Sequence, residues 1–166
     1  MRLKLSDSTF AGLGFGTTSR VITTLGAIIG IYASTHDRAA ILTAVITVSV
    51  ADAFSDALGE HISEESKIYT SSENVKNITF STFFSKLLVG LSFLIPFMFL
   101  NTFAAVIVSV LYGSLVLFLI SFRIAKLSKQ SSISVVSSHL IVAFCVIVVT
   151  YFLGNLIEKA FGTASM

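Results

Sequence analysis

Apolar residues fill five long stretches of the chain, and short polar segments separate them. The stretches cover residues 12–34, 39–62, 80–100, 102–122 and 135–157. A bilayer core requires about 20 apolar residues per helix, so each stretch predicts a membrane-spanning helix. The pattern therefore predicts an all-α, polytopic membrane protein whose residues 1–166 form a single five-helix domain. Residues 67–79 and 123–134 are predicted polar loops, and Pro96 is expected to kink the third helix.

Composition supports a membrane protein. Of 166 residues, 54% are hydrophobic and 12% are charged, and the mean hydropathy is +0.90. A soluble domain of this length has too little interior to bury so much apolar surface. The net charge is only +2 and the basic residues form no cluster, so we expect no nucleic-acid partner. The single cysteine, Cys145, excludes an intrachain disulfide.

Lysine and arginine positions predict the orientation of the helices. Arg38 and Lys159 fall on one side of the predicted membrane. Nine basic residues fall on the N-terminal side: Arg2, Lys4, Arg20, Lys67, Lys76, Lys86, Arg123, Lys126 and Lys129. Five helices place the termini on opposite sides. We therefore expect a cytoplasmic N-terminus and an external C-terminus in a multi-pass protein of the cell membrane.

Four carboxylates recur at a spacing of four in "ADAFSDALGEHISEES", residues 51–66. They are Asp52, Asp56, Glu60 and Glu64. Four residues advance a helix by about 400°, so the acids form one stripe on the second helix. An aspartate within the bilayer costs about 2.5–3.5 kcal/mol, which favours a functional role. Carboxylate oxygens suit hard or borderline divalent cations, and they also suit protons. Glu60 and Glu64 could equally be a solvated helix end.

Whether each acid of this stripe has a basic partner decides between a structural and an ion-binding role for the stripe. Arg20 lies about as far from the cytoplasmic end of the first helix as Asp56 lies from that end of the second. An Arg20–Asp56 ion pair is therefore expected, and such a pair would be purely structural. No basic residue obviously shares the depth of Asp52, so Asp52 is expected to be protonated or beside a bound cation. The chain is then either an ion transporter or a non-transporting structural subunit.

Two helices carry a family resemblance. "FGTTSRVITTLGAIIG" (15–30) resembles the first-helix signature of the vacuolar iron transporter family, and "SDALGEHISEES" (55–66) is similar to its second-helix segment. "TYFLGNLI" (150–157) looks like the ending of the family's last helix. The resemblance implies a homodimer that exports cytosolic Fe²⁺, and often Mn²⁺, in exchange for protons, with the ion path between protomers. It implies no cofactor beyond the transported metal.

The chain departs from the family pattern where the family places its acids. Ser19 and Arg20 match the family's helix-one Asp and Gly, Val48 matches its helix-two Glu, and Asp56 matches its helix-two Met. The long cytoplasmic metal-binding insert is reduced to a short loop. Either Asp52 and Asp56 take the place of the family's acids at new positions, or the positive charge of Arg20 has abolished ion binding at the site. The expected lack of a partner for Asp52 favours the first alternative.

The sequence thus predicts a proton-coupled exporter of Fe²⁺ or Mn²⁺. The expected metal ligands are Asp52, Asp56, Glu60 and Glu64, and Asp52, Arg20 and Ser19 are the expected coupling or charge-partner residues. The D-x-x-x-D spacing is also similar to half of the CDP-alcohol phosphotransferase motif. The other half is absent, so we do not expect an enzyme.

The first helix also contains GxxxG spacings, at Gly12 and Gly16 and at Gly26 and Gly30. This spacing lets helices approach closely. It predicts that the first helix packs tightly, either within the chain or between protomers.

Overall fold

Six α-helices follow one another through residues 7–162, the part of the chain that the computed structural model describes. They are α1 (Asp7–Thr35), α2 (Arg38–Glu65), α3 (Ser72–Ser92), α4 (Leu94–Phe99), α5 (Thr102–Leu127) and α6 (Ser132–Phe161). The all-α prediction is confirmed. Arg2 and Lys4 lie outside the described residues.

Four helical segments are long and apolar enough to cross a membrane. They are Arg38–Glu65, Ser72–Phe99, Thr102–Leu127 and Ser132–Phe161. The segment Ser72–Phe99 joins α3 and α4, which are interrupted at Phe93. Pro96 explains the interruption, because its ring clashes with the carbonyl of residue 92 and it has no N–H to donate there. α1 is as long, at 29 residues, but it is not among these four segments, and it contains Arg20 and many glycine and hydroxyl residues.

The helices extend beyond their apolar stretches. α3 begins at Ser72, so residues 72–79, predicted as loop, are helical. The Ser71 side chain accepts a hydrogen bond from the Asn74 N–H, and Glu73 lies in the positively polarised first turn. The predicted loop 123–134 shrinks to residues 128–131. Hydropathy reports the apolar part of a helix, whereas capping residues determine where the helix begins.

α1 lies at the centre of the bundle and packs against α2, α3, α5 and α6. Because its glycines have no side chain, the neighbouring helices approach the α1 backbone closely. Added Cβ atoms on Gly12 and Gly16 would overlap the hydroxyls of α3, and one on Gly26 would lie 2.9 Å from Val146 of α6. On the α6 side, a Cβ on Gly154 would overlap the carbonyl of Gly30. The GxxxG spacings therefore serve packing within the chain.

The bundle buries both an apolar core and a polar junction. The largest fully buried apolar side chains are Leu25, Ile28, Ile41, Phe93, Phe97 and Leu117. Where α1, α2 and α3 pack together, the buried side chains are largely polar or charged, and they include Thr17, Arg20, Ser49, Ser81, Thr82, Ser85 and Lys86. Any ion chemistry of the described residues is therefore expected at this three-helix junction.

Candidate functional site

Two cations and two carboxylates meet where α1, α2 and α3 pack together. Arg20 Nη1 lies 3.1 Å from Asp52 Oδ2, and Lys86 Nζ lies 2.8 Å from the same oxygen. Lys86 also forms an ion pair with Asp56. These four residues and Ser19 are called the charge cluster below. Two positive and two negative side chains make its formal charge zero.

Lys86 is surrounded by oxygen atoms. Its ammonium donates to Ser19 Oγ at 3.1 Å, and it contacts Oδ2 of both Asp52 and Asp56. Ser19 Oγ in turn donates to Asp56 Oδ2 at 3.4 Å. An ammonium group has three protons, and three oxygens are available to accept them here. The cluster therefore contains a point on which one hydroxyl and two carboxylate oxygens converge.

The cations and the carboxylates differ in exposure. The side chains of Arg20 and Lys86 are 0% exposed, whereas those of Asp52 and Asp56 are each 25% exposed. Thr23 of α1 and Ser55 of α2, each close in sequence to a cluster residue, are exposed. The side of the bundle on which the two carboxylates are exposed is called the α1–α2 face below. The carboxylates can therefore be reached from this face, while the cations are covered by protein.

Gly90 makes the position of Arg20 possible. A Cβ at residue 90 would lie 2.9 Å from Arg20 Nη2, and nearer still to Arg20 Nε and Ser49 Oγ. The guanidinium group thus lies directly against the α3 backbone. Ser49 Oγ donates to the Val45 carbonyl at 2.6 Å, and Arg20 Nε and Nη2 have no hydrogen-bond partner within residues 7–162.

The predicted Arg20–Asp56 ion pair is wrong, and so is the expectation that Asp52 has no basic partner. Arg20 bonds to Asp52, and Asp56 pairs with Lys86. The antiparallel register of α1 and α2 brings Asp52 opposite Arg20. Asp56, one turn further along α2, lies opposite Ser19.

Lys86 is the member of the charge cluster that the sequence interpretation missed. A helix starting at residue 80 would place Lys86 near the membrane interface. Because α3 starts at Ser72, Lys86 lies about 21 Å along that helix. The signal in the sequence is the run of small hydroxyl residues Ser81, Thr82 and Ser85, which marks a buried polar face rather than a lipid-facing one.

The outer two acids of the predicted stripe do not join the cluster. Glu60 is half-buried on the turn after Asp56. Glu64 pairs with Lys67 and accepts a hydrogen bond from Thr70 Oγ1 at 2.7 Å, next to the end of α2. Within residues 7–162, no group of three or more His, Cys, Asp and Glu side chains is arranged to hold a metal ion. Asp52, Asp56 and Ser19 are brought together, and their oxygens hold the Lys86 ammonium.

Comparisons of the chain with known protein families, with curated proteins and with solved structures found no match. The likeness to the vacuolar iron transporters therefore rests on the sequence segments quoted above, and the charge cluster is the structural basis for a functional proposal.

Proposed function

We propose that the protein transports a divalent cation of the Fe²⁺ or Mn²⁺ kind out of the cytosol in exchange for protons. The observation that supports this most is the convergence of Ser19, Asp52 and Asp56 oxygens on one point. Oxygen ligands of this type suit hard and borderline divalent cations. In the proposed cycle the Lys86 ammonium occupies the point at rest, and an entering metal ion displaces it.

Access to the cluster supports a homodimer. Asp52 and Asp56 are partly exposed on the α1–α2 face, and a carboxylate facing lipid is costly. A second copy packed on this face by a two-fold axis would cover the carboxylates and double their number. Glu60 and Glu64 would then attract cations at the entrance.

The distribution of Lys and Arg still favours the proposed orientation of the helices. Arg20 and Lys86 are buried in the bundle, so they do not count as loop charges. Removing these two from the nine on the N-terminal side leaves seven, against Arg38 and Lys159 on the other side. The N-terminal side is therefore proposed to be cytoplasmic, with α1 as the fifth membrane helix.

A second candidate function is that of a non-transporting structural or assembly subunit. The charge balance of the cluster favours it, because two cations neutralise two carboxylates without a bound metal. Buried ion pairs often do no more than specify packing. The two candidates differ in what a charge-neutral change in the cluster does.

A flux assay on purified protein in proteoliposomes separates the candidates. Uptake of Mn²⁺ and Fe²⁺ is measured with and without a pH gradient. The test variant is Asp56→Asn with Lys86→Gln, which removes one acid and one base and keeps the cluster neutral. The matched control is Glu158→Gln with Lys159→Gln, an exposed acid and base at the end of α6.

Transport by the parent and the control, with most of it lost in a folded test variant, is the expected result. Glu64→Gln should reduce transport far less, because charges near water are screened within about 8–10 Å. No flux from the folded parent, at any pH gradient, would support the structural subunit instead. Unchanged flux in the test variant would remove Asp56 and Lys86 from the ion path.

A further inference from the structure

We propose that the chain binds one phospholipid with a primary-ammonium headgroup, phosphatidylethanolamine in class, between α2 and α3. The proposal does not depend on the transport function. It rests on two adjoining cavities that share His61: one is apolar and the other is polar with charges of both signs.

The apolar cavity fits an acyl chain. Its volume is about 370 Å³, and four phenylalanines line it: Phe54, Phe80, Phe83 and Phe84. The α2 residues that line it span positions 54 to 61, about 10 Å of helix, against about 15 Å for one leaflet of hydrocarbon. Phe54 and Phe83 pack edge to face, with ring centroids 4.9 Å apart, so two of the lining rings support each other.

The polar cavity fits a headgroup with one negative and one positive charge. It has a volume of about 250 Å³, and its charged lining residues are Glu65, Lys67 and Lys76. Lys67 pairs with Glu64, which leaves Lys76 for a phosphate. Glu65 lies 3.7 Å from the His61 ring, and its side chain is 71% exposed, so it is available to a primary ammonium. A headgroup that is only anionic would leave Glu65 facing a like charge.

The connection between α2 and α3 indicates that this cavity lies at headgroup depth. Ile68 and Tyr69 are 89% and 97% exposed, although both are hydrophobic. Tyrosine is enriched where a bilayer meets water, because its ring is apolar and its hydroxyl is polar. The connection is therefore placed to insert these two side chains into the interface. A lipid seated there would have its headgroup against Lys76 and its chain among the phenylalanines.

Native mass spectrometry of the detergent-purified full chain tests the proposal. Added lipids with identical chains are phosphatidylethanolamine, phosphatidylcholine and phosphatidylglycerol, and glycerophosphoethanolamine serves as the free headgroup. We expect one retained lipid and a two- to fivefold preference for phosphatidylethanolamine over phosphatidylcholine, which is about what an exposed ion pair supplies. The free headgroup should not compete, because the chain groove contributes most of the binding.

Three variants identify the contacts. Glu65→Gln should bring the preference over phosphatidylcholine close to one. Lys76→Gln should weaken all three lipids by about fivefold, the weight of one lysine at a membrane surface. Leu58→Trp, at an exposed position on the groove, should block the chain without disturbing the core. Lys129→Gln is the matched control, because it removes an exposed lysine on the α5–α6 connection, away from the groove.

Equal retention of all lipids, unchanged in every variant, would mean annular lipid only and would overturn the proposal. A preference for phosphatidylglycerol would overturn the role of Glu65 and with it the headgroup assignment. Effective competition by the free headgroup would indicate a site for soluble phosphate compounds instead of a lipid site.

Discussion

Replacing Gly90 by alanine should disrupt the charge cluster without changing any charged residue. The new Cβ would lie 2.9 Å from Arg20 Nη2 and would overlap Arg20 Nε and Ser49 Oγ. Arg20 is completely buried, so its guanidinium can move only by leaving Asp52, 3.1 Å away. The substitution therefore tests whether the Arg20–Asp52 contact contributes to stability.

The magnitude follows from three contributions. Overpacking a buried site costs about 1–3 kcal/mol. A hydrogen bond between charged groups contributes about 1.5–3 kcal/mol. Replacing glycine by alanine within a helix returns about 1 kcal/mol. We therefore expect Gly90→Ala to lower the free energy of unfolding by about 1.5–5 kcal/mol.

Gly59→Ala is the matched control. Gly59 is exposed on α2, and beyond its chain neighbours and the nearby α2 backbone no atom of the described residues lies within 4 Å of the position that its Cβ would occupy. That variant should be stabilised by up to about 1 kcal/mol, since only the backbone gain applies. Thermal unfolding in one detergent compares the two variants. A shift of about 2–4 °C per kcal/mol is usual for a chain of this length.

A rescue variant links the loss to Arg20 itself. Arg20→Lys shortens the head of the side chain and removes the nitrogens nearest the new Cβ, so Gly90→Ala should cost less in that background. Equal stability of Gly90→Ala and Gly59→Ala would refute the close packing of Arg20 on α3. Additive effects of Gly90→Ala and Arg20→Lys would refute the contact between the two positions.

Two further predictions concern the cluster and the topology. Lys86→Met should destabilise the protein by about 3–5 kcal/mol, because it leaves a carboxylate uncompensated, and adding Asp56→Asn should recover much of that loss. If thermal unfolding of the single and double variants shows that the two losses add, Lys86 and Asp56 do not interact. Impermeant amine reagents should label Lys76 and Lys129 only from the cytoplasmic side and Lys159 only from outside. The opposite labelling would overturn the proposed orientation of the helices, and with it the cytoplasmic entrance at Glu60 and Glu64.

Most of the helical architecture could be predicted from the sequence, because in lipid the backbone polar groups must be hydrogen-bonded within helices and the side chains that face lipid must be apolar. Each predicted helix has a counterpart, and the interruption near Pro96 was expected. The start of α3 was misplaced because residues 72–79 are polar and the cap at Ser71 is a local hydrogen bond that hydropathy does not detect.

The partners of the acids could be predicted only in part. The depth of Arg20 along the first helix correctly predicts that it lies near the α2 carboxylates. The predicted register of the two helices is wrong by one turn, so the predicted partner is Asp56 and the partner in the structure is Asp52. The part that Lys86 plays in the cluster could not be predicted, because the sequence pattern placed the start of α3 too late. These errors change an expected outcome. If Asp52 had no basic partner, Asp52→Asn would remove only an isolated charge; in the structure it removes a partner of both Arg20 and Lys86 and should destabilise the fold.

The order of the charges along the chain has a consequence for biosynthesis. Arg20 leaves the ribosome first, the two aspartates of α2 follow, and Lys86 comes last. An inserted α1 alone would carry one positive charge at the cluster, and the α1–α2 hairpin would carry one negative charge. Only the arrival of α3 makes the sum zero. The first three helices are therefore the smallest nascent unit that can enter the bilayer with its buried charges balanced. A chain stalled before residue 86 should remain a target for membrane quality control.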